Sequence, residues 1–393
     1  MDTCDVVIVG GGPAGSSCAR ALRRAGLDVV IVDRSPFPRD KVCAGWITPQ
    51  VVDELEIDCN DYRRGRTFQP ITGFRIGVIG GSRETATSYA GAVSFGIRRC
   101  EFDHYLLQRS GARLRLGVPV SSVQREGVHW VIDGCVKAPV LVGAGGHFCP
   151  VAARMNPSRA PEAPVVAAQE AEFPIERGDR ESWTTAPEMP ELYFCADLKG
   201  YGWCFRKGGY INVGFGRLDP PSLKARRAPV ASREGRPRSL PKASARFADF
   251  LRARSKIPAR ASWRWRGHAY LVSGPPRRRI SGDGVLLAGD AAGLAYPQSG
   301  EGIRPAIESG LLAASAIVAA NGTFTRERLA VYEQQLRARF GLDPRPPLLS
   351  TLVPSSLASL SLPWLLRSRL FTRRLLLDRW FLHRSEAPLQ EQS

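Results

Sequence analysis

The chain has 393 residues, 44% of them hydrophobic, and its 55 Lys+Arg against 37 Asp+Glu give a formal net charge of +18. That length suffices for a large core in more than one lobe, and the composition is that of a globular protein. The positive excess favours anionic partners such as phosphates, cofactor tails or a lipid surface; without zinc-finger spacing or an RNA-binding signature, no nucleic-acid partner is expected. Nine cysteines, an odd number with no CxxC pair among them, argue against a disulfide framework and against structural zinc. The start, "MDTCDVVIVGGG", lacks the basic region of a signal peptide, so a reducing, cytoplasmic setting and free thiols are expected.

Residues 5–34 predict strand, tight turn, helix, strand. Residues 6–9 are an apolar, β-branched run suited to a buried parallel strand. Gly10, Gly12 and Gly15 form G-x-G-x-x-G, with Pro13 at the helix start and Ala14 among the small residues that let the helix lie on the sheet. Unpaired N–H groups and the positive helix end then face a pyrophosphate. The second strand, 29–32, ends at Asp33, where a carboxylate can accept bonds from an adenosine ribose, with Arg34 beside it. This unit alone does not separate NAD from FAD.

"RDKVCAGWITP" (39–49) follows. Cys43 reads as a free thiol, either packed or held against a cofactor. Residues 66–97 and 163–217 alternate in the manner of antiparallel strands, in "ELYFCADL", "GYGWCFRK" and "YINVGFG". Tyr201, Trp203 and Phe205 then share one face, which is either core or the wall of a cavity. The Arg-, Pro- and Ser-rich residues 222–243 predict an exposed insertion.

A second grip stands at 285–303. A buried strand over 285–288 stops at Gly289-Asp290, and a helix starts near Gly302 with a small or apolar stripe at Ala306, Ile307, Gly310, Leu311, Ala314 and Ile317. A carboxylate at that strand end suits a polyol, and glycines beyond it let backbone N–H groups approach a flat ring. NAD has no polyol there; the ribityl chain of FAD is one.

The tail begins with 21 uncharged positions, 346–366, whose four prolines and six Ser or Thr argue against a membrane span. Beyond it Leu366, Leu370, Leu377 and Phe381 fall near one helical face, with Arg367, Arg369, Arg373, Arg374, Arg379 and Arg384 as a basic side and Trp364 and Trp380 as anchors. Two readings stand: an in-plane amphipathic helix on the inner membrane face, or a C-terminal helix packed on the protein's own body.

The glycine turn, "KVCAGW", "RRCEFDHYLL", "YGWCFRKGGYINVGFG" and "LLAGDAAGLAYPQSGEGI" together resemble the flavoproteins of the p-hydroxybenzoate hydroxylase fold, and within them the geranylgeranyl reductase branch, over roughly residues 1–320. The resemblance implies an α/β fold with three parts. They are a discontinuous Rossmann-like FAD-binding domain (1–65, 98–160, 275–323), a substrate domain built on a mixed or antiparallel sheet (66–97, 161–274), and a helical C-terminal segment (324–393). It implies that Asp290, after Gly289, binds the ribityl hydroxyls, that Pro297 sits beside the isoalloxazine, and that Gly300, Glu301, Gly302 and Ile303 line its pyrimidine edge. Arg99 matches the family arginine near the cofactor, Val120 the position whose backbone meets adenine, and Lys41 and Cys43 the Lys-x-Cys-x-Gly segment over the flavin. Trp46, where the branch often has glycine, joins Tyr201, Trp203 and Phe205 as substrate residues. Gly145-Gly146 replace the Asp-Gly motif of many relatives, which leaves NAD(P)H or ferredoxin open as reductant.

The expected function is FAD-dependent reduction of carbon–carbon double bonds in an isoprenoid or other lipophilic small molecule. Two alternatives are a monooxygenase of an aromatic or polyketide substrate and an electron-transfer flavoprotein at the membrane. No metal is expected.

Overall fold

A computed structural model describes residues 1–157, 165–176, 183–197, 199–219, 240–259, 263–272, 278–341, 365–366 and 368–389, with the backbone alone at Asp219. The insertion expected at 222–243 lies outside these residues up to 239, as do Trp364, Arg367 and the uncharged stretch up to 364. All nine cysteines are free thiols.

The chain is a mixed α/β structure. A six-stranded sheet runs in the order Ser281–Gly282, Val285–Leu287, Val140–Gly143, Val6–Val9, Val29–Asp33, Arg113–Leu116, and all of its pairs but the first are parallel. Val6–Val9 and Val140–Gly143 are buried along their whole length, as a parallel sheet covered on both faces requires.

Helix Pro13–Arg24 follows the first strand, and helix Ile303–Ala319 follows Val285–Leu287 through a turn. These helices cross at almost backbone distance. A carbon added to Gly310 would lie 2.3 Å from the Ala14 carbonyl oxygen, and one added to Gly15 would lie 1.9 Å from that of Gly10. Only glycine fits at either place. The crossing sets the two strand ends on either side of Val140–Gly143, and the Gly289 N–H donating to Ser309 Oγ at 2.9 Å ties the later strand to its helix.

The second lobe is a seven-stranded sheet ordered Arg266–Leu271, Val165–Pro174, Tyr210–Asp219, Gly200–Lys207, Glu191–Phe194, Gly73–Val78, Glu84–Ser88. Its pairs are antiparallel except Glu191–Phe194 with Gly73–Val78. A small sheet of Trp46–Ile47, Ser94–Ile97 and Phe68–Ile71 stands between the lobes.

The C-terminal helix, Phe371–Phe381, packs on the protein's own body. Leu366, Leu376, Leu377, Phe381 and Leu382 are buried with Trp46, Phe74, Phe194, Trp203 and Phe205, and Tyr89 donates to Asp378 at 2.9 Å. Of the apolar stripe considered for a membrane surface only Leu370 is exposed, because the aromatic face of the second sheet covers the rest. Among the described residues no helix is long and apolar enough to cross a membrane.

Replacing Gly310 by Val forces a side chain into the crossing. It is expected to lower stability by about 1–3 kcal/mol or more in urea unfolding, whereas Gly91→Ala, whose added carbon meets nothing within 4 Å, should leave the midpoint unchanged.

Candidate functional site

A cavity of about 750 Å³ lies where the two strand ends meet the second sheet. Its size is that of a cofactor or ligand site. Of the residues singled out from the sequence, Gly10, Gly12, Pro13, Ala14, Asp33, Arg34, Lys41, Cys43, Trp46, Arg99, Val120, Tyr201, Trp203, Gly289, Asp290, Gly300, Glu301, Gly302 and Ile303 all line it.

Three others do not. Gly15 is spent on the close packing of its helix. Pro297 is exposed, since the turn closed by the Gly300 N–H on the Tyr296 carbonyl at 2.8 Å puts it on the outer side. Phe205, expected beside substrate, is core: Trp46 stacks over it with centroids 5.0 Å apart and stands between it and the cavity.

At the glycine turn, Asp33 organises its own loop. Its two carboxylate oxygens accept the Gly11 N–H at 2.7 Å and the Ser35 N–H at 2.9 Å. The guanidinium of Arg39 hangs over the same turn, 3.3 Å from where a Gly12 side chain would begin, and pairs with Asp103 at 3.2 Å. Arg39 lines the cavity and was not singled out from the sequence, because only the folded loop brings it over Gly12.

Asp290 sits in a small charge cluster. Lys41 Nζ is 3.5 Å from its Oδ2 and 3.3 Å from His268 Nε2. Burial alone would raise the Asp290 pKa, but Lys41, His268 and Arg99 together hold the carboxyl well below the usual range. Burial and Lys41 push His268 the other way, below the ordinary imidazole value. His268 and Tyr270 alternate on strand Arg266–Leu271 and both line the cavity. In the sequence they are marked only by the period-2 spacing in "RGHAYL", a weak signal without knowledge of which sheet that strand joins.

At the start of helix Ile303–Ala319, Glu301 Oε1 accepts the Arg304 N–H at 2.8 Å while its Oε2 is buried without a partner. Burial lifts this carboxyl to about 7. A buried, unsatisfied carboxyl oxygen beside a helix N-terminus suits a ligand edge that carries both donors and acceptors. The pyrimidine edge of a flavin is such a group. The glycine turn, Arg39, the Asp290 cluster and Glu301 thus fit a flavin dinucleotide chemically.

Over this region stands the 41–46 loop, held by the second sheet. Asn212 Nδ2 donates to the Cys43 carbonyl at 3.2 Å, Lys207 Nζ to the Ala44 carbonyl at 3.0 Å and the Ile97 carbonyl at 2.9 Å, and the Cys43 N–H donates to Glu170 Oε2. Gly45 has φ +69, and a side chain there would meet the Ile97 carbonyl oxygen at 2.4 Å. Arg99 is fixed by two bonds to buried Asp103, at 2.7 and 2.8 Å. Burial works against its charge, but the Asp103 carboxylate, with the neighbouring Cys43 sulfur, outweighs it and raises its pKa. The aromatic wall opposite is equally fixed: Trp203 Nε1 donates to Asn212 Oδ1 at 2.7 Å and Tyr201 to the Ser299 carbonyl. Among the described residues no group of three or more His, Cys, Asp or Glu could hold a metal ion.

Residues 5–81 match the family of FAD-dependent oxidoreductases. The menaquinone reductase of Mycobacterium tuberculosis is 30% identical over 336 residues, 80% of this chain and 76% of that protein. The chain belongs to the geranylgeranyl reductase family of FAD-dependent oxidoreductases. The digeranylgeranylglycerophospholipid reductase of Methanocaldococcus jannaschii is 26% identical, the match covering 86% of this chain and 83% of that one. The structure of a geranylgeranyl bacteriochlorophyll reductase-like protein from Thermoplasma acidophilum shares the fold, with a TM-score of 0.70 at 23% identity over 86% of this chain and 84% of that one. This family member is an FAD-dependent oxidoreductase, and FAD is its cofactor.

Arg99→Met removes both close bonds to the buried Asp103 carboxylate and leaves it Arg39 alone, at 3.2 Å. Unfolding in urea should show a loss of about 3–5 kcal/mol, and the double variant Arg99→Met/Asp103→Leu should recover a large part of it.

Proposed function

We propose that the protein reduces a carbon–carbon double bond in the isoprenoid chain of a lipophilic molecule. One observation carries the reading. The aromatic face of Trp46, Tyr201 and Trp203 opens into the same cavity as the two cofactor grips, with Cys43 and Arg99 at the junction. Flat apolar walls suit a polyprenyl chain, whose burial stabilises the complex by about 0.8 kcal/mol per CH₂. The names of the relatives, which speak of menaquinone, geranylgeranyl diphosphate and digeranylgeranylglycerophospholipid, agree with it.

In this reading Arg39 and the N–H groups of the glycine turn bind the pyrophosphate. Asp33 holds the turn beside the ribose, Val120 borders adenine, and Asp290 accepts from the ribityl hydroxyls with Lys41 and His268 fixing its charge. Glu301, Gly302 and Ile303 bind the pyrimidine edge of the ring. Bound and reduced, the flavin supplies a hydride. The chain's own residues align the alkene against Trp46, Tyr201 and Trp203, exclude water from it, and offer a proton at the Cys43 thiol beside Arg99. The exposed Arg369, Arg373, Arg374 and Arg379 of the C-terminal segment form a basic face that we assign to contact with anionic headgroups at the cytoplasmic membrane surface, where such substrates reside.

Reducing the yellow protein with dithionite without oxygen and adding a prenylated quinone should yield a product heavier by two hydrogens per double bond reduced, read by mass spectrometry. An added oxygen atom, once air is admitted, would instead mark a monooxygenase and overturn the proposal. Cys43→Ala should retain the bound-flavin spectrum and slow reoxidation by the alkene on the order of 100-fold; an unchanged rate would remove the thiol from the reaction.

A further inference from the structure

We infer that Glu170 supplies Cys43 with the proton of the reaction from a second, polar cavity on the far side of the 41–46 loop. The inference rests on the alkene reduction proposed above and adds to it the source of the proton. This second cavity has about 620 Å³ and shares Asp40, Lys41, Cys43, Arg99 and Gly267 with the first. Cys43 therefore borders both spaces. One holds the apolar wall from which water must be excluded; the other is lined mainly by charged groups.

Glu170 lines only the polar cavity and is 6% exposed. Ala168, Glu170 and Glu172 share one face of strand Val165–Pro174, the face turned to the Cys43 loop. Glu170 Oε2 accepts the Cys43 N–H and Asn212 Nδ2, whereas Oε1 has no hydrogen-bond partner among the described residues. Five of the cations around it are engaged elsewhere. Lys207 and Arg98 pair with Glu172, Arg99 with Asp103, Arg266 with Asp40, and Lys41 with Asp290; Arg264 also borders the cavity. Burial consequently outweighs Lys207 and lifts the Glu170 carboxyl to about 8, so it holds a proton near neutral pH.

Saturating a double bond takes a hydride, which reduced flavin supplies, at one carbon and a proton at the other. The Cys43 S–H bond breaks as that second C–H bond forms, and sulfur keeps the electron pair beside the Arg99 guanidinium. The Glu170 proton then passes through cavity water to the thiolate, and the carboxylate recovers one from solvent. Each turnover takes up one proton from the medium and needs no further oxidant or reductant.

Glu170→Gln keeps an acceptor for the Cys43 N–H but carries no acidic proton. With the flavin pre-reduced, reoxidation by a prenylated quinone should slow about 10- to 100-fold. In the wild type that rate should fall as pH rises through about 8, the protonated form being the active one; in the variant this dependence should vanish. Equal rates with the same pH profile would overturn the inference. Independently of turnover, the infrared difference between wild-type and E170Q holoprotein should contain a protonated-carboxyl C=O band that disappears through about pH 8. A Glu170 already ionised at pH 6 overturns the inference whether or not any alkene is reduced. Wild-type flavin that no alkene reoxidises, with the band present, instead sinks the proposed reaction. Should E170Q fail to fold, Glu170→Asp serves both measurements: it should lower the rate but keep the decline with pH and a shifted carboxyl band, and a wild-type rate with no such band refutes the relay.

Discussion

The crossing of two helices at backbone distance is the constraint from which the rest of the molecule follows. Gly310 removes the side chain that would hold Pro13–Arg24 and Ile303–Ala319 apart, and Gly15 removes the one that would push Pro13–Arg24 off its own glycine turn. Strands Val6–Val9 and Val285–Leu287, almost 280 residues apart in sequence, then flank Val140–Gly143 in one parallel sheet. Their C-terminal ends deliver a glycine turn and an aspartate to one cavity. This is the general place for ligands in open α/β sheets, outside the carboxyl ends of the strands. Helix ends contribute unpaired N–H groups there at no extra cost, since those donors lack intrahelical partners in any case.

A second constraint comes from the other sheet. The loop that carries Cys43 has little regular structure of its own, yet three polar side chains of the second sheet hold its backbone: Glu170, Asn212 and Lys207. These groups are buried, so each satisfies a hydrogen bond that would be expensive to leave unmade. The same Asn212 orients Trp203, which couples the thiol loop to the aromatic wall. The two lobes thereby share one polar network at the point where their cavities meet. The C-terminal helix closes the back of this arrangement, with Phe381 edge-on to both Trp46 and Tyr201.

Local patterns carried much of this in one dimension. The β-branched runs at 6–9 and 29–32 with the glycines between them announce a buried βαβ unit, and the stop at Gly289-Asp290 announces another strand end. Alternation in "GYGWCFRK" placed Tyr201, Trp203 and Phe205 on one face, and the structure agrees on the face. It could not say which of the three meets the cavity, since that depends on Trp46 arriving from another sheet to cover Phe205. The apolar stripe at Leu366, Leu377 and Phe381 was equally readable, but a stripe states only that something apolar lies against it. Protein and lipid give the same pattern in sequence.

The sequence alone therefore determined the βαβ glycine turn, the aspartates at two strand ends and the small-residue stripe of the second helix, because backbone conformation and short-range spacing specify these directly. Tertiary structure alone brought His268 and Tyr270 to the cavity, swung Arg39 over Gly12, and set Glu170 against the Cys43 loop. Each of those contacts joins residues distant in sequence, and what a side chain does there depends on the burial and the neighbouring charge that only the folded chain creates.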